Sequence, residues 1–156
     1  MLQPRILELQ PKTLAGKQQR MSLVHNETGL LWQRFMQQRS QLAAVNNLLY
    51  SLQLYPADYF RAFNPANEFT KWALAEVNDA THLPEGFEVF YLPGGLYAVF
   101  DHKGSGTEIF QRIFTEWLPQ SGYVLDDRPH FELLGEKYKN NSADSEEEIW
   151  IPVKRK

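Results

Sequence analysis

The sequence predicts an α+β protein built on an antiparallel sheet, and three observations carry that expectation. Short apolar segments alternate with polar residues at the period of two that a strand imposes, as in "NNLLYSLQLY" and "HFELLG". Two longer segments, "NETGLLWQRFMQQRSQ" and "SGTEIFQRIFTEWLP", space their apolar residues at helical intervals. The order strand–strand–helix–strand–strand then runs twice, with a boundary in "NDATHLPEG" near residues 78–86. The expected fold is a duplicated β-β-α-β-β module with an antiparallel sheet, helices on one face and a pocket between the two halves. The pseudo-repeats span about 1–80 and 84–156 of a single domain, residues 1–156.

Each element has its own signal. "RILEL" alternates as a short strand, and "KTLAGKQQ" is expected to pair with it after Pro11. Residues 27–39 form the first helix, with Leu31, Phe35 and Leu42 at roughly helical spacing. In "NNLLYSLQLY", Leu48, Tyr50, Leu52 and Leu54 share one side against polar Asn47, Ser51 and Gln53, as in a half-buried strand. "EFTKWALAEV" follows a loop through "PADYFRAFNPAN", and the flanking Asn and Pro favour a strand.

In the second cycle "FEVFYL" and "LYAVFDHKG" are strands joined by the turn "PGG". Ser105 and Glu108 have the spacing of a capping box before the second helix. Ile109, Phe110, Ile113, Phe114 and Trp117 give that helix a broad apolar face, and Pro119 ends it. "HFELLGEKY" and "EEEIWIPVK" are the closing strands, with a polar loop "KNNSADSEE" between them. The acidic run in "SEEEIW" is expected to be solvated, with Ile149, Ile151 and Val153 buried.

Composition narrows the function. The chain has 156 residues, 43% hydrophobic and 22% charged, enough for an apolar core. Sixteen Lys and Arg against nineteen Asp and Glu leave a net charge of −3, which gives no reason to expect a nucleic-acid partner. "KRK" at Lys154–Lys156 suits a solvated tail. The absence of cysteine excludes disulfides and thiolate chemistry. No leader-like or membrane-spanning apolar run occurs, so no membrane partner is expected and the cytoplasm is the default location. Aromatic residues reach 13%, which suits either a core or a pocket for flat ligands.

His25, His82, His102 and His130 lack metal-ligand spacing, so no metal site is expected. "GSG" at Gly104–Gly106 lacks the remainder of a dinucleotide or P-loop signature, no G-x-S-x-G elbow occurs, and no cofactor or catalytic residue is assigned. Glu132 stands out. The strand period places it on one face with His130 and Leu134, in an otherwise apolar segment where a carboxylate is costly to bury. It fits either a cross-strand ion pair or exposure at a sheet edge, or an anionic anchor in an aromatic pocket for greasy cations. Trp117, Trp32, Trp72 and Tyr97 are the accompanying ligand-binding candidates, each of which also fits a packing role.

The succession "LPGGLYAVFDHKGSG", "IFTEWLPQSGY", "RPHFELLGEKY" and "EEEIWIPVK" resembles the gyrase-inhibitor-like effector-binding domain. That module occurs in bacterial multidrug-responsive transcription regulators of the AraC and MerR types and as a free-standing protein. The likeness covers Gly86–Lys154 most closely and is carried in the first half by "RILEL", "KTLAG", "LLWQRF" and "FTKWALAEV". The resemblance implies a pocket between two halves, lined by aromatics, with a glutamate often at its centre. Glu132 matches that glutamate, and Trp117 matches the tryptophan of the family's W-L-P motif. No segment resembles a helix-turn-helix, so direct DNA binding is not expected.

The expected function is that of a stand-alone bacterial effector-binding protein. It would take amphipathic aromatic small molecules, cations included, in an aromatic pocket anchored by Glu132. Two alternatives stand beside it. One is hydrolysis of electrophilic small molecules, with Glu132 as base or nucleophile assisted by Tyr97. The other is interaction with a protein partner, such as inhibition of DNA gyrase.

Overall fold

The computed structural model describes residues 2–139 and 142–156. Its strands are β1 (Arg5–Leu9), β2 (Lys12–Ser22), β3 (Ala44–Leu54), β4 (Glu68–Val77), β5 (Glu88–Leu92), β6 (Gly95–Lys103), β7 (Tyr123–Leu125), β8 (His130–Leu134) and β9 (Glu146–Arg155). Helix α1 spans Thr28–Gln38 and runs into a 3-10 turn. Helix α2 spans Glu108–Arg112 and continues through a π turn, Ile113–Trp117, and a 3-10 turn, Leu118–Gln120. The polar loop expected at "KNNSADSEE" includes residues 140 and 141, which lie outside the described residues.

All strand pairs are antiparallel, in the order β1-β6-β9-β8-β3-β4-β2-β5, with β7 added on β9. This order forces curvature. β1 and β2 stand six strand intervals apart, which in a flat sheet is about 29 Å. Only Gln10 and Pro11 join them, a link that spans at most about 11 Å. The same holds for β5 and β6, joined by Pro93 and Gly94. The sheet therefore rolls into a half-barrel that brings its ends together.

β1 pairs with β6 instead of β2, contrary to the sequence expectation. A two-residue link ordinarily makes a hairpin, but here it carries the chain from one edge of the rolled sheet towards the other. β2 is occupied on both sides, by β4 and β5. At Gly16 the β4 backbone comes so close that a Cβ would collide with the Ala73 carbonyl oxygen. The expected capping box is also absent. α2 begins at Glu108 after Thr107, without a side-chain cap, and Ser105, just after the turn at Gly104 (φ 98°), stands too far before the helix to cap it. The three-residue β7 is too short to show a period in the sequence.

The apolar residues fall into three groups. α1 packs through Leu31 and Phe35 on Ala15, Ala73 and Ala75, whose small side chains let a helix approach the sheet. The π turn that continues α2 packs through Ile113 on Ala98, Phe100, Ile149 and Ile151. The third group includes Leu14, Leu52, Leu74, Leu92, Tyr97, Val99 and Phe131, all at most 1% exposed. Each such leucine contributes roughly 1.5–3 kcal/mol of transfer free energy, so this group is a principal source of stability.

Candidate functional site

Cross-strand register assigns every candidate to a face. One continuous row runs Ala73–Ser51–Glu132–Ile149–Phe100 through β4, β3, β8, β9 and β6. The adjacent row runs Trp72–Leu52–Phe131–Trp150–Val99 through the same strands. Successive residues of a strand point to opposite faces, so Glu132 and Trp72 lie on opposite sides of the sheet. The first row begins in the apolar group that holds α1 and ends in the group that holds α2. Between them come the polar side chains of Ser51 and Glu132.

Polar groups gather around that midpoint. Gln53 Nε2 donates a hydrogen bond to Glu132 Oε2 at 3.0 Å. Gln53 is flanked in register by Lys71 on β4 and His130 on β8. Ser51, Gln53, Lys71 and His130 are all buried, at 6–9% exposure, whereas Glu132 is half-buried. Across β9, His102 Nδ1 and Glu147 Oε1 are 3.1 Å apart. Among the described residues Glu132 has no cationic partner within 4 Å. The cross-strand ion pair that would have made it structural is therefore not formed.

The electrostatics follow from this crowding. Burial pushes the Glu147 carboxyl above its usual range, the His102 contact opposes that shift, and the Glu132 charge adds to it. Tyr55 and Tyr138 have raised hydroxyl pKa values, in both cases chiefly from burial. The charge of Glu132 acts on both phenols, and that of Glu147 acts on Tyr138. His130 is held neutral: burial, helped by the Arg128 charge, lowers its pKa to about 3.

Aromatic rings close one end of this region. The Phe60 ring stacks on His130 at 5.4 Å and on Phe114 of the π turn at 5.2 Å. Tyr55 meets His130 edge-on at 4.9 Å. At the other end of β8, Gly135 and Glu136 join Met36, Arg39, Ser40 and Asn47 around an open cavity of about 640 Å³.

The sequence candidates distribute unevenly. Trp117 packs edge-on against Phe100, the terminal member of the Glu132 row, and stacks on Tyr123. Trp32 is half-buried on α1, edge-on to Phe35. Trp72 and Tyr97 belong to the apolar group on the opposite side. The Tyr97 hydroxyl donates to the Pro129 carbonyl at 2.7 Å, and the Arg128 guanidinium lies over its ring.

Sequence reasoning did not select Ser51, Gln53, Lys71, His102 or Glu147. Alternation sets Ser51 and Gln53 on the polar side of their strand, and Glu147 belongs to an acidic run of solvated type, yet the first two are buried and Glu147 is half-buried. The available signal was the pairing of polar residues with a strand too apolar to be an edge.

Comparison with known proteins agrees with this architecture. The chain is 28% identical over 153 residues to the transcriptional regulator BrlR of Pseudomonas aeruginosa, covering 96% of this chain and 54% of that protein. It is 35% identical over 100 residues to a DNA gyrase inhibitor of Erwinia billingiae, covering 58% of this chain and 62% of that one. The matched region thus spans little more than half the length of each curated relative. A solved structure of SAV2435 bound to tetraphenylphosphonium superposes with a TM-score of 0.71 at 18% identity, covering 98% of this chain and 94% of that one. The model of the GyrI-like small molecule binding domain matches residues 2–154, and the chain belongs to that family.

Proposed function

We propose that the chain binds amphipathic aromatic small molecules, cations included, in a groove between α1 and α2 whose floor is the β3–β8 pair. On this reading the two helices flank one face of the sheet and the fold is a duplicated module whose halves meet along the groove. Glu132 is the anionic anchor. The observation that carries the reading is its state: half-buried, with one hydrogen bond from a neutral amide and no cationic partner among the described residues.

A carboxylate in that position loses hydration without gaining a counter-charge. A cation with aromatic substituents supplies the charge, and its rings find stacking partners in Phe60, Phe114 and Tyr55. Trp117 and Trp32 form the outer walls on the two helices. The SAV2435 complex supports the ligand class, since tetraphenylphosphonium combines these two properties. Binding of such a compound suits sensing or sequestration.

Calorimetric titration with tetraphenylphosphonium, beside its neutral analogue triphenylphosphine oxide, tests the proposal. Saturable binding of the cation that weakens at least tenfold in Glu132→Gln, with little change for the neutral compound, is the expected result. Equal cation affinity in both proteins would make Glu132 a structural residue. Slow consumption of an ester or other electrophile that depends on Glu132 would favour the hydrolytic alternative.

A further inference from the structure

We infer that Lys71 is a resident counter-cation of this groove and sets its charge preference, offsetting one of two carboxylates, Glu132 and Glu147, so that the floor suits a monocation. The inference rests on the groove reading above and adds a residue and a selectivity to it.

Lys71 is an uncommon residue for its position. It lies in a strand whose neighbouring members Ala73, Leu74 and Ala75 are at most 1% exposed, and Lys71 itself is 9% exposed. Buried lysines ordinarily have an ion-pair partner. Lys71 makes no ion pair within 4 Å and no side-chain hydrogen bond among the described residues. Register places it beside Gln53, which holds Glu132, and parity places it on the Glu132 side with Ala73. Its charge is also one of those that act on Glu147. Lys71 thus shares a face with both carboxylates, and its ammonium closes within 4 Å of neither.

Such an arrangement lowers the negative potential of the floor without consuming either carboxylate. With His130 neutral, the facing charges are Glu132, Glu147 and Lys71, together with His102 when it is protonated. With His102 neutral, two negative charges and one positive leave one net negative charge, which a single cationic centre balances. A more highly charged ligand must enter against the lysine.

The test is titration of the full chain and of Lys71→Met, Lys71→Arg and Glu132→Gln with three probes. These are tetraphenylphosphonium, the dication methyl viologen and the neutral triphenylphosphine oxide. Removing the positive charge is expected to tighten tetraphenylphosphonium binding about three- to tenfold, as for a screened charge at the edge of a protein groove. The gain should be larger for methyl viologen and absent for the oxide. Lys71→Arg keeps the charge and should bind like the parent.

Unchanged or weaker cation binding by a folded Lys71→Met would overturn the inference, as would an equal gain in Lys71→Arg. If that happens while Glu132→Gln still loses the cation, the groove reading survives and only the role of Lys71 fails. If neither the parent nor Lys71→Met binds any probe, both fail together.

Discussion

Gln53 Nε2 donates to Glu132 Oε2 at 3.0 Å across the β3–β8 pair, so the most conspicuous carboxylate in the sheet is met by an amide and not by a cation. A neutral donor orients the carboxylate and supplies part of its lost hydration. It leaves the full charge in place, available to a ligand.

Tyr97→Phe should separate stability from binding. The substitution removes the buried hydrogen bond to the Pro129 carbonyl and is expected to cost about 1–2 kcal/mol in denaturant unfolding. Affinity for tetraphenylphosphonium should stay within about twofold of the parent, because Tyr97 lies across the sheet from Glu132. A loss of binding without a loss of stability would place Tyr97 in the ligand site.

Cation binding should weaken in acid. Burial raises the pKa of Glu147, so this group becomes protonated, and stops attracting a cation, at a pH above the ordinary carboxylate value of 4.5. Calorimetry across the acid range should show affinity falling as pH decreases through that region. Glu147→Gln should bind more weakly at neutral pH and lose the early part of the fall. An identical pH profile in the variant would remove Glu147 from the groove's electrostatics.

His130 should make folding stability pH-dependent. Its folded pKa of about 3 lies below the unfolded value of 6.5, so between those limits the unfolded chain takes up the proton more readily. The stabilising contribution is complete above 6.5 and is lost as pH falls towards about 3. His130→Phe retains a ring against Tyr55, Phe60 and Phe114 and should flatten that slope in chemical denaturation. An unchanged slope would mean that His130 takes up its proton as readily in the folded protein as in the unfolded chain.

Two glycines should respond in opposite ways to alanine. At Gly16 the new methyl group meets the backbone of β4, and a loss of about 3 kcal/mol or more is expected from the forced separation of β2 and β4. At Gly29, inside α1, no neighbouring atom lies within 4 Å of the added carbon. The expected change there is a gain of about 0.5 kcal/mol through reduced freedom of the unfolded chain. Thermal melts of the two variants check both signs.

Local pattern made much of this legible. The period of two in "HFELLG" placed Glu132 with His130 and Leu134, and the observed strand keeps that grouping. Helix α1 falls within one residue of its expected limits because its apolar positions repeat and have nothing local to compete with them. Pairing was harder to read, since β1 finds its partner some 90 residues away in β6, a distance at which periodicity carries no information.

The site was legible only in part for a related reason. Alternation tells which residues of one strand share a face, but relating Trp72 on β4 to Glu132 on β8 requires the register through β3. Ser51 and Gln53 were hidden by a sound rule applied in the wrong setting. In a sheet solvated on one side they would be the wet residues, but here the four successive residues Tyr50, Ser51, Leu52 and Gln53 are all buried, whichever face they point to.

Whether ligand binds on the Glu132 face can be read from an amide NMR titration with tetraphenylphosphonium. The four tryptophan indoles report on both sides of the sheet: Trp72 and Trp150 lie on the face opposite Glu132, while Trp117 and Trp32 belong to the helix-bearing groups. Saturable shifts at the Gln53 side-chain amide, Ser51 and Trp117, with the Trp72 and Trp150 indoles still, are the predicted result. Shifts concentrated at Trp72 and Trp150, with Gln53 unmoved, would contradict it and put the ligand inside the curl of the sheet.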